Sequence, residues 1–214
     1  MESYRESMVS GSADLIAQIR CHPFILQTMD GSIADGHFRR FATQNYLRLR
    51  EFERFLALLS ARAPESVRDK FCRAMIKNHE DIEWCEELAA RLDINLARTP
   101  MTFACHAGAG QMLATVCMRS FEEALTVCYG TDFALHEGWT HALPNLRTPN
   151  RWQEFIDLWG GESIARWVES LGEMIDTLAV ECPPKRLQRM TDSFRASLYY
   201  RLRFWDMAFQ EADW

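Results

Sequence analysis

The sequence predicts an all-α protein, built as a single helical bundle with a pocket at its centre. Apolar residues recur at steps of three and four along five long segments, which is the spacing of amphipathic helices. No window shows the period-2 alternation of a half-buried strand, and the breaks between segments are short. No repeat or shift in composition marks a boundary, so we expect one domain over 1–214 with its site between facing helices.

Each predicted helix has its own apolar stripe and its own stop. Phe38, Phe41 and Phe52 begin the first stripe, and Ser120 followed by Glu123 has the spacing of a capping box. Pro, Gly or both occur in most of the connections, where they end or interrupt helices. The predicted helical segments are 34–62, 65–93, 120–143, 162–180 and 185–210.

The composition excludes several classes of protein. Hydrophobic residues make up 48% and aromatic residues 12% of the 214, which is typical of a chain that folds around a full core. The formal charge is −6 and the isoelectric point about 5.6, so the basic surface of a non-specific nucleic-acid or anionic-membrane binder is not expected. A small-molecule or protein partner is predicted instead.

The cysteine pattern and the N-terminus indicate a cytoplasmic protein with reduced thiols. Seven cysteines are present, an odd number, and no two form a C-x-x-C pair, which argues against a disulfide framework or a zinc site. The first twenty residues lack a basic start followed by an apolar core, and no run of eighteen apolar residues occurs. We therefore expect no membrane partner.

Two polar residues interrupt the stripe of the first long helix. The helical path from Phe41 to Phe52 passes through Asn45 and Arg48, so both side chains should point toward the core or a cavity within it. A buried guanidinium needs a partner, because an unpaired charge costs several kcal/mol to desolvate. The alternative is that Arg48 lies at the edge of the stripe and extends to water.

The last helix repeats this arrangement. Arg201 lies on the path from Phe194 to Trp205, and the same two interpretations apply to it. Arginines on two different helices favour a basic pocket. Glu137 is a candidate counter-charge, and its alternative is a solvated helix carboxylate.

Metal ligation is not predicted. His136-Glu137 resembles the start of a zinc-protease motif, but the required second histidine position is Thr140, and His141 at i+5 faces elsewhere on a helix. Cys128, on the inner stripe of its helix, is a candidate nucleophile, although a buried cysteine is commonly a small hydrophobic residue.

Three stretches in order along the chain resemble the TenA/thiaminase II family. They are HPFILQTMDGSIADGHFRRFATQNYLRL (22–49), RWQEFIDLWGGESIARWV (151–168) and SLYYRLRFWDMAF (197–209). The resemblance implies the haem-oxygenase-like fold, a central pocket and a homo-oligomer, either a dimer or a tetramer. It also implies hydrolysis of a C–N bond in aminopyrimidines derived from thiamin, carried out by a Cys, an Asp and a Glu without metal or organic cofactor.

The residues at the matching positions depart from the family's catalytic pattern. The Asp falls on Asn45, the Cys falls on Thr131 with Cys128 one turn earlier, and the acid/base Glu falls on Arg201. The Tyr that follows the Asp falls on Arg48. The resemblance therefore leaves Cys128 as the surviving candidate nucleophile. Glu137 is the second candidate catalytic residue.

The positions that are aromatic in the family are also aromatic in this sequence. Its stacking Tyr falls on Trp159, and the aromatic residue of the last helix is Phe204. We hypothesise a divergent member that holds a small planar, anionic heteroaromatic ligand between these rings. Arg48 and Arg201 would clamp its acid group and Asn45 would hydrogen-bond its ring.

Two further hypotheses come from other classes of protein. One is a PqqC-like cofactor-free oxidase, in which a basic pocket holds a polycarboxylate. The other is a non-enzymatic ligand-binding or regulatory protein on the same scaffold, which the replaced carboxylates favour.

Overall fold

The computed structural model describes residues 2–96 and 99–210, and in this part of the chain every regular element is helical. The prediction of an all-α protein is confirmed. A short 3-10 turn, Leu143–Asn145, follows the seventh α-helix. The α-helices are α1 (Tyr4–Ser10), α2 (Ala13–Arg20), α3 (Pro23–Asp30), α4 (Asp35–Arg62), α5 (Glu65–Arg91), α6 (Phe103–Met118), α7 (Phe121–Ala142), α8 (Gln153–Gly160), α9 (Glu162–Ala179) and α10 (Pro184–Gln210).

The five predicted segments correspond to α4, α5, α7, α9 and α10, with ends that agree within about two residues. At the start of α7, the Glu123 backbone N–H donates to Ser120 Oγ over 3.3 Å, so Ser120 caps the helix as predicted. Apolar periodicity did not predict α6, where small residues such as Gly108 and Gly110 replace a clear apolar stripe.

The described residues fall into two compact units. Unit 1 contains 2–33 and 125–205, and unit 2 contains 34–96, 99–124 and 206–210. Each unit therefore combines segments that are distant in sequence. The single domain over 1–214 stays a prediction.

In unit 1, α1 is fastened to α9 by an ion pair and a hydrogen bond. Arg5 Nη1 lies 2.8 Å from Glu169 Oε1, and the Arg5 backbone N–H donates to Asp176 Oδ1 over 2.7 Å. Gly172 leaves the space that this arginine uses, because a Cβ at Gly172 would lie 2.4 Å from Arg5 Cδ. The Tyr4 hydroxyl also donates to the Leu187 carbonyl over 2.7 Å, so α1 contacts α10 as well.

In unit 2, α4 and α5 form an antiparallel pair joined at Ala63. Asn78 Nδ2 donates to the Leu49 carbonyl over 3.1 Å, and the Tyr46 hydroxyl donates to Glu86 Oε1 over 2.9 Å. The earlier residue of α4, Tyr46, contacts the later residue of α5, Glu86, and Leu49 contacts Asn78. This order is the pattern of antiparallel helices. The two inner faces bury polar side chains as well as apolar ones.

Both units have aromatic cores. Unit 1 fully buries the side chains of Phe24, Trp139, Phe155, Phe194 and Trp205, and unit 2 those of Phe38, Phe41, Phe55 and Phe71. Over 2–96 and 99–210, none of the helices is both long and apolar enough to cross a bilayer.

Candidate functional site

A buried cation lies among aromatic rings in unit 1. Arg201 on α10 is 4% exposed, and its Nη2 donates to the Thr131 carbonyl of α7 over 3.2 Å. Its Cζ lies 5.7 Å from the centre of the Phe204 ring and 6.0 Å from that of Trp205, within reach of cation–π attraction. The prediction that Arg201 points inward is confirmed. We call Thr131, Arg201, Phe204 and Trp205 the Arg201 cluster.

Trp205 is fixed by two neighbours. A Cβ at Gly138 of α7 would lie 2.4 Å from Trp205 Cη2, so the indole packs directly on that glycine. The His22 ring lies 5.5 Å from Trp205 between ring centres, and His22 Nδ1 accepts the Phe24 backbone N–H over 3.2 Å. Trp205 received no functional role from the sequence, although it is one helical turn after Arg201.

Cys128 lies on the inner face of α7 and is fully buried. Burial, with the nearby Asp132 carboxylate adding to it, raises the pKa of the Cys128 thiol well above its ordinary value. The side chain is therefore a neutral thiol near pH 7. Its proposed role as nucleophile stays a prediction.

Asp132 is a buried carboxyl that sequence reasoning missed. It is 5% exposed, and Trp167 Nε1 of α9 donates to its Oδ2 over 2.8 Å. The signal was present in the sequence, because Asp132 follows Cys128 by four residues and so lies on the same face of the helix.

Glu137 makes an ion pair with α2. Its Oε1 lies 2.5 Å from both Nε and Nη2 of Arg20, and a fifth of its side chain is exposed. The hypothesis made Glu137 the counter-charge of the inward-pointing arginines, whereas its described partner is Arg20. Its catalytic role stays a prediction.

Trp159 on α8 belongs to an aromatic group in unit 1. It is 5% exposed, and its ring lies 6.1 Å from that of Phe155, which is in turn 5.6 Å from the Trp139 ring. Its Nε1 has no acceptor among the described residues. The structure places Trp159 in a buried aromatic environment, and its contact with a ligand stays a prediction.

A second buried cation lies in unit 2. Asn45 is fully buried, Arg48 is 6% exposed, and Arg48 Nη2 donates to Asn45 Oδ1 over 3.5 Å. Arg48 Cζ lies 5.9 Å from the centre of the Phe52 ring. The prediction that both polar side chains point inward is confirmed, and the structure adds Cys85 of α5 beside them. We call Asn45, Arg48, Phe52 and Cys85 the Arg48 cluster.

Cys85 is a second group that received no functional role from the sequence. Burial raises its pKa to about 12, with Asp81 adding to the rise, while the Arg48 guanidinium and the Asn45 amide oppose it. Burial also raises the pKa of Asp81, and Lys77, whose Nζ is 2.6 Å from Asp81 Oδ1, opposes that shift. Positions 81 and 85 share one face of α5, so their spacing could have indicated this group.

The histidines of α7 do not come together. His136 Nδ1 lies 3.1 Å from Thr140 Oγ1, and His141 is exposed. Within 2–96 and 99–210, no group of three or more His, Cys, Asp or Glu side chains could hold a metal ion.

These helices and buried clusters define an all-α protein of the haem-oxygenase-like class, and comparison with known proteins supports that class. A Shewanella denitrificans domain described as having a heme oxygenase-like fold matches with a TM-score of 0.76 and 13% identity, over 96% of this chain and 91% of that one. The chain belongs to the TENA/THI-4/PQQC family, whose model matches residues 12–211. The resemblance and the fold class inferred from the sequence are thereby confirmed.

Individual relatives agree with this assignment. A TenA homologue from Pyrococcus furiosus matches with a TM-score of 0.93 and 23% identity, over 96% of this chain and all of that one. A putative TenA-like thiaminase from Sulfolobus solfataricus matches with a TM-score of 0.81 and 18% identity, over 96% and 95%. The probable bifunctional TENA-E protein of Glycine max is 21% identical over 194 residues, which are 87% of this chain and 85% of that protein.

Proposed function

We propose that this TENA/THI-4/PQQC family member binds a small planar heteroaromatic molecule that carries an acid group. The observation that carries the proposal is Arg201, a buried cation held by the Thr131 carbonyl and flanked by the Phe204 and Trp205 rings. A guanidinium so placed favours a carboxylate or phosphate, and the rings favour a flat partner. The resemblance implies a glutamate at position 201, so the preferred charge of the ligand is reversed.

Arg201 and its neighbours in unit 1 are the centre of the proposed binding site. In unit 1, Arg201 would bind the acid group, and Trp159 and Phe204 would contact the ring. In unit 2, the predicted roles of Arg48 and Asn45 are a positive charge for an acid group and a hydrogen bond to a ring nitrogen or amino group.

Hydrolysis of aminopyrimidines, which the resemblance implies, is the second candidate function. Cys128 and Glu137 are its candidate catalytic residues, and the Sulfolobus relative described as a putative TenA-like thiaminase supports this line. The observation that favours binding without hydrolysis is the full burial of Cys128, because burial raises the pKa of the thiol and disfavours the reactive thiolate. Thr131 is a ligand contact in either case.

The proposal also covers the oligomeric state, location, cofactors and partners of the protein. We expect a cytoplasmic homo-oligomer that works without metal or organic cofactor and has no nucleic-acid or membrane partner. The exposed apolar side chains of Ile76, Phe103 and Met118 agree with a further protein contact. Light scattering on the purified full chain would show a dimer or a tetramer if this is right, and a monomer would contradict it.

The function is tested by calorimetric titration and product analysis with thiamin and aminopyrimidines, and by titration with a planar acid such as nicotinate. We expect nicotinate to bind more tightly than its neutral amide. The combined variant Asn45→Asp, Thr131→Cys and Arg201→Glu restores the residues that the resemblance implies. If that variant alone hydrolyses aminopyrimidines, the native chain has left this chemistry. Rapid hydrolysis by the native chain, with no preference for an acid, would contradict the proposal.

A further inference from the structure

Helix α6 is apolar on its exposed side as well as on its buried side. Charged residues make up 25% of the chain, yet α6 contains no Asp, Glu, Lys or Arg. Each of the other α-helices in the described part of the chain contains at least one. A helix that is apolar on all sides is normally covered on all sides, so we expect the exposed side of α6 to meet a partner.

The buried side of α6 packs on α4 within unit 2. Cys105 Sγ donates to the Gln44 carbonyl over 3.4 Å, and Arg62 Nη1 donates to the Val116 carbonyl near the end of α6. The opposite side forms a stripe about 120° wide on the helical wheel, and its residues are exposed or half-buried. We call this stripe the α6 face, which consists of Phe103, His106, Ala107, Gly110, Ala114, Cys117 and Met118.

The large side chains of the α6 face lie at its two ends. Phe103 is 55% exposed and Met118 is 81% exposed. They are separated by about 22 Å along the helix. Between them lie Ala107, Gly110 and Ala114, and a Cβ at Gly110 meets no atom within 4 Å. The space above the middle of the face is therefore open to another helix.

A second copy of this chain is complementary to such a face. When two α6 helices pack antiparallel about a twofold axis, Phe103 of each copy meets Met118 of the other. Contacts between a thioether and an aromatic ring are favourable, and so is the antiparallel order of two helix dipoles. The formal charge of −6 makes two copies repel each other, and a face without acidic side chains lets them approach with the least repulsion.

We infer that the α6 face is the apolar centre of a twofold interface with a second copy of this chain. The two α6 helices are antiparallel, with Ala107 of each copy opposite Ala114 of the other. This inference rests on the homo-oligomer of the proposed function and names the surface that forms it. The face measures about 24 by 10 Å on each copy, which is smaller than the interface of a tight complex, so we expect a dissociation constant in the micromolar range.

Sedimentation equilibrium of the full chain over a range of concentrations tests the interface. Ala114→Lys places a charge in the middle of the α6 face, and we expect it to raise the dissociation constant about a hundredfold. If the parent is a tetramer, the same substitution should reduce it to a dimer. Ala57→Lys, at an exposed position of α4 outside the α6 face, is the matched control and should leave the assembly unchanged. Circular dichroism shows that each variant is folded.

A charge pair across the interface tests the antiparallel order. Ala107→Glu alone should weaken the assembly as Ala114→Lys does. An equimolar mixture of the two variants should associate within about tenfold of the parent, because the new carboxylate of one chain faces the new ammonium of the other. Positions 107 and 114 are about 10 Å apart along one helix, so this recovery cannot arise within a single chain.

The outcomes separate this inference from the proposed function. If the parent associates and Ala114→Lys associates equally well, the α6 interface is overturned and the homo-oligomer stands. If the mixture of variants does not recover, the antiparallel order is overturned. A parent that is monomeric at every concentration contradicts both the interface and the homo-oligomer. Nicotinate titration of Ala114→Lys tests the ligand separately, since this substitution leaves every residue of the Arg201 cluster in place.

Discussion

The two buried arginines are held in different ways. The described hydrogen bond of Arg201 is to a main-chain carbonyl of another helix, and its neighbour Trp205 rests on a glycine backbone. The described hydrogen bond of Arg48 is longer, 3.5 Å, and goes to the Asn45 side chain one turn earlier on the same helix. A cation held by main chain has less freedom to reorient than one held by a side chain. From these two described hydrogen bonds alone, we expect the Arg201 cluster to be the better preorganised for binding a ligand.

Replacing Gly138, on which Trp205 packs, should have the largest effect on the Arg201 cluster. Gly138→Ala puts a Cβ 2.4 Å from Trp205 Cη2, so the indole must move. We expect the free energy of unfolding to fall by about 3 kcal/mol and nicotinate binding to be lost. Chemical denaturation and calorimetry measure the two effects.

Gly110→Ala on α6 is the matched control, because a Cβ at Gly110 meets no atom within 4 Å. Alanine should stabilise this helix by up to about 1 kcal/mol. Equal destabilisation by both substitutions would contradict the role given to Gly138.

Replacing each arginine by methionine compares the clusters directly. We expect Arg201→Met to lower nicotinate affinity about thirtyfold, roughly 2 kcal/mol, and Arg48→Met to have a smaller effect. Calorimetry on both single variants measures the two losses. A larger loss in Arg48→Met would reverse the comparison.

The hydrogen bond from Trp167 to Asp132 should have a smaller effect. Trp167→Phe removes the donor to the buried Asp132 carboxylate, and we expect a loss of about 1.5 kcal/mol in the free energy of unfolding. Tyr199→Phe, at an exposed ring, should stay within about 0.5 kcal/mol of the parent in the same denaturation experiment. An unchanged stability in Trp167→Phe would show that Asp132 does not need this donor.

The Arg48 cluster is best examined through pH. The Cys85 pKa is raised from 9.0 to about 12, so the folded chain retains a proton that the unfolded chain loses above pH 9. This contribution to stability is complete below pH 9 and is lost between pH 9 and about 12. At one pH unit above 9, the contribution of the Cys85 thiol to the free energy of unfolding should have fallen by about 1 kcal/mol.

Denaturation curves at mildly and more strongly alkaline pH, compared between the parent and Cys85→Ala, measure this difference. Cys117→Ala, at an exposed cysteine, should retain the pH dependence of the parent. An identical pH dependence in Cys85→Ala and the parent would mean that the Cys85 thiol is not buried in solution.

Local periodicity predicted much of the fold but few of its contacts. Steps of three and four gave the bounds of α4 and α10, and the same counting placed Arg48 and Arg201 inside. The pair of Arg20 with Glu137 joins residues 117 positions apart, which no local pattern encodes. Likewise, the packing of Trp205 on Gly138 depends on how α7 meets α10. The sequence therefore predicted that Trp205 is buried, but not that it contacts Gly138.

The fastening of α1 has a practical consequence for handling the protein. Tyr4 and Arg5 bind α10 and α9, and Ser3 caps α1 by accepting the Glu6 N–H over 3.2 Å. An affinity tag joined directly before Ser3 would place its linker against these contacts. A tag at this end should therefore be separated by a spacer, and a protease cut after Arg5 should weaken the contacts of α1 with α9 and α10.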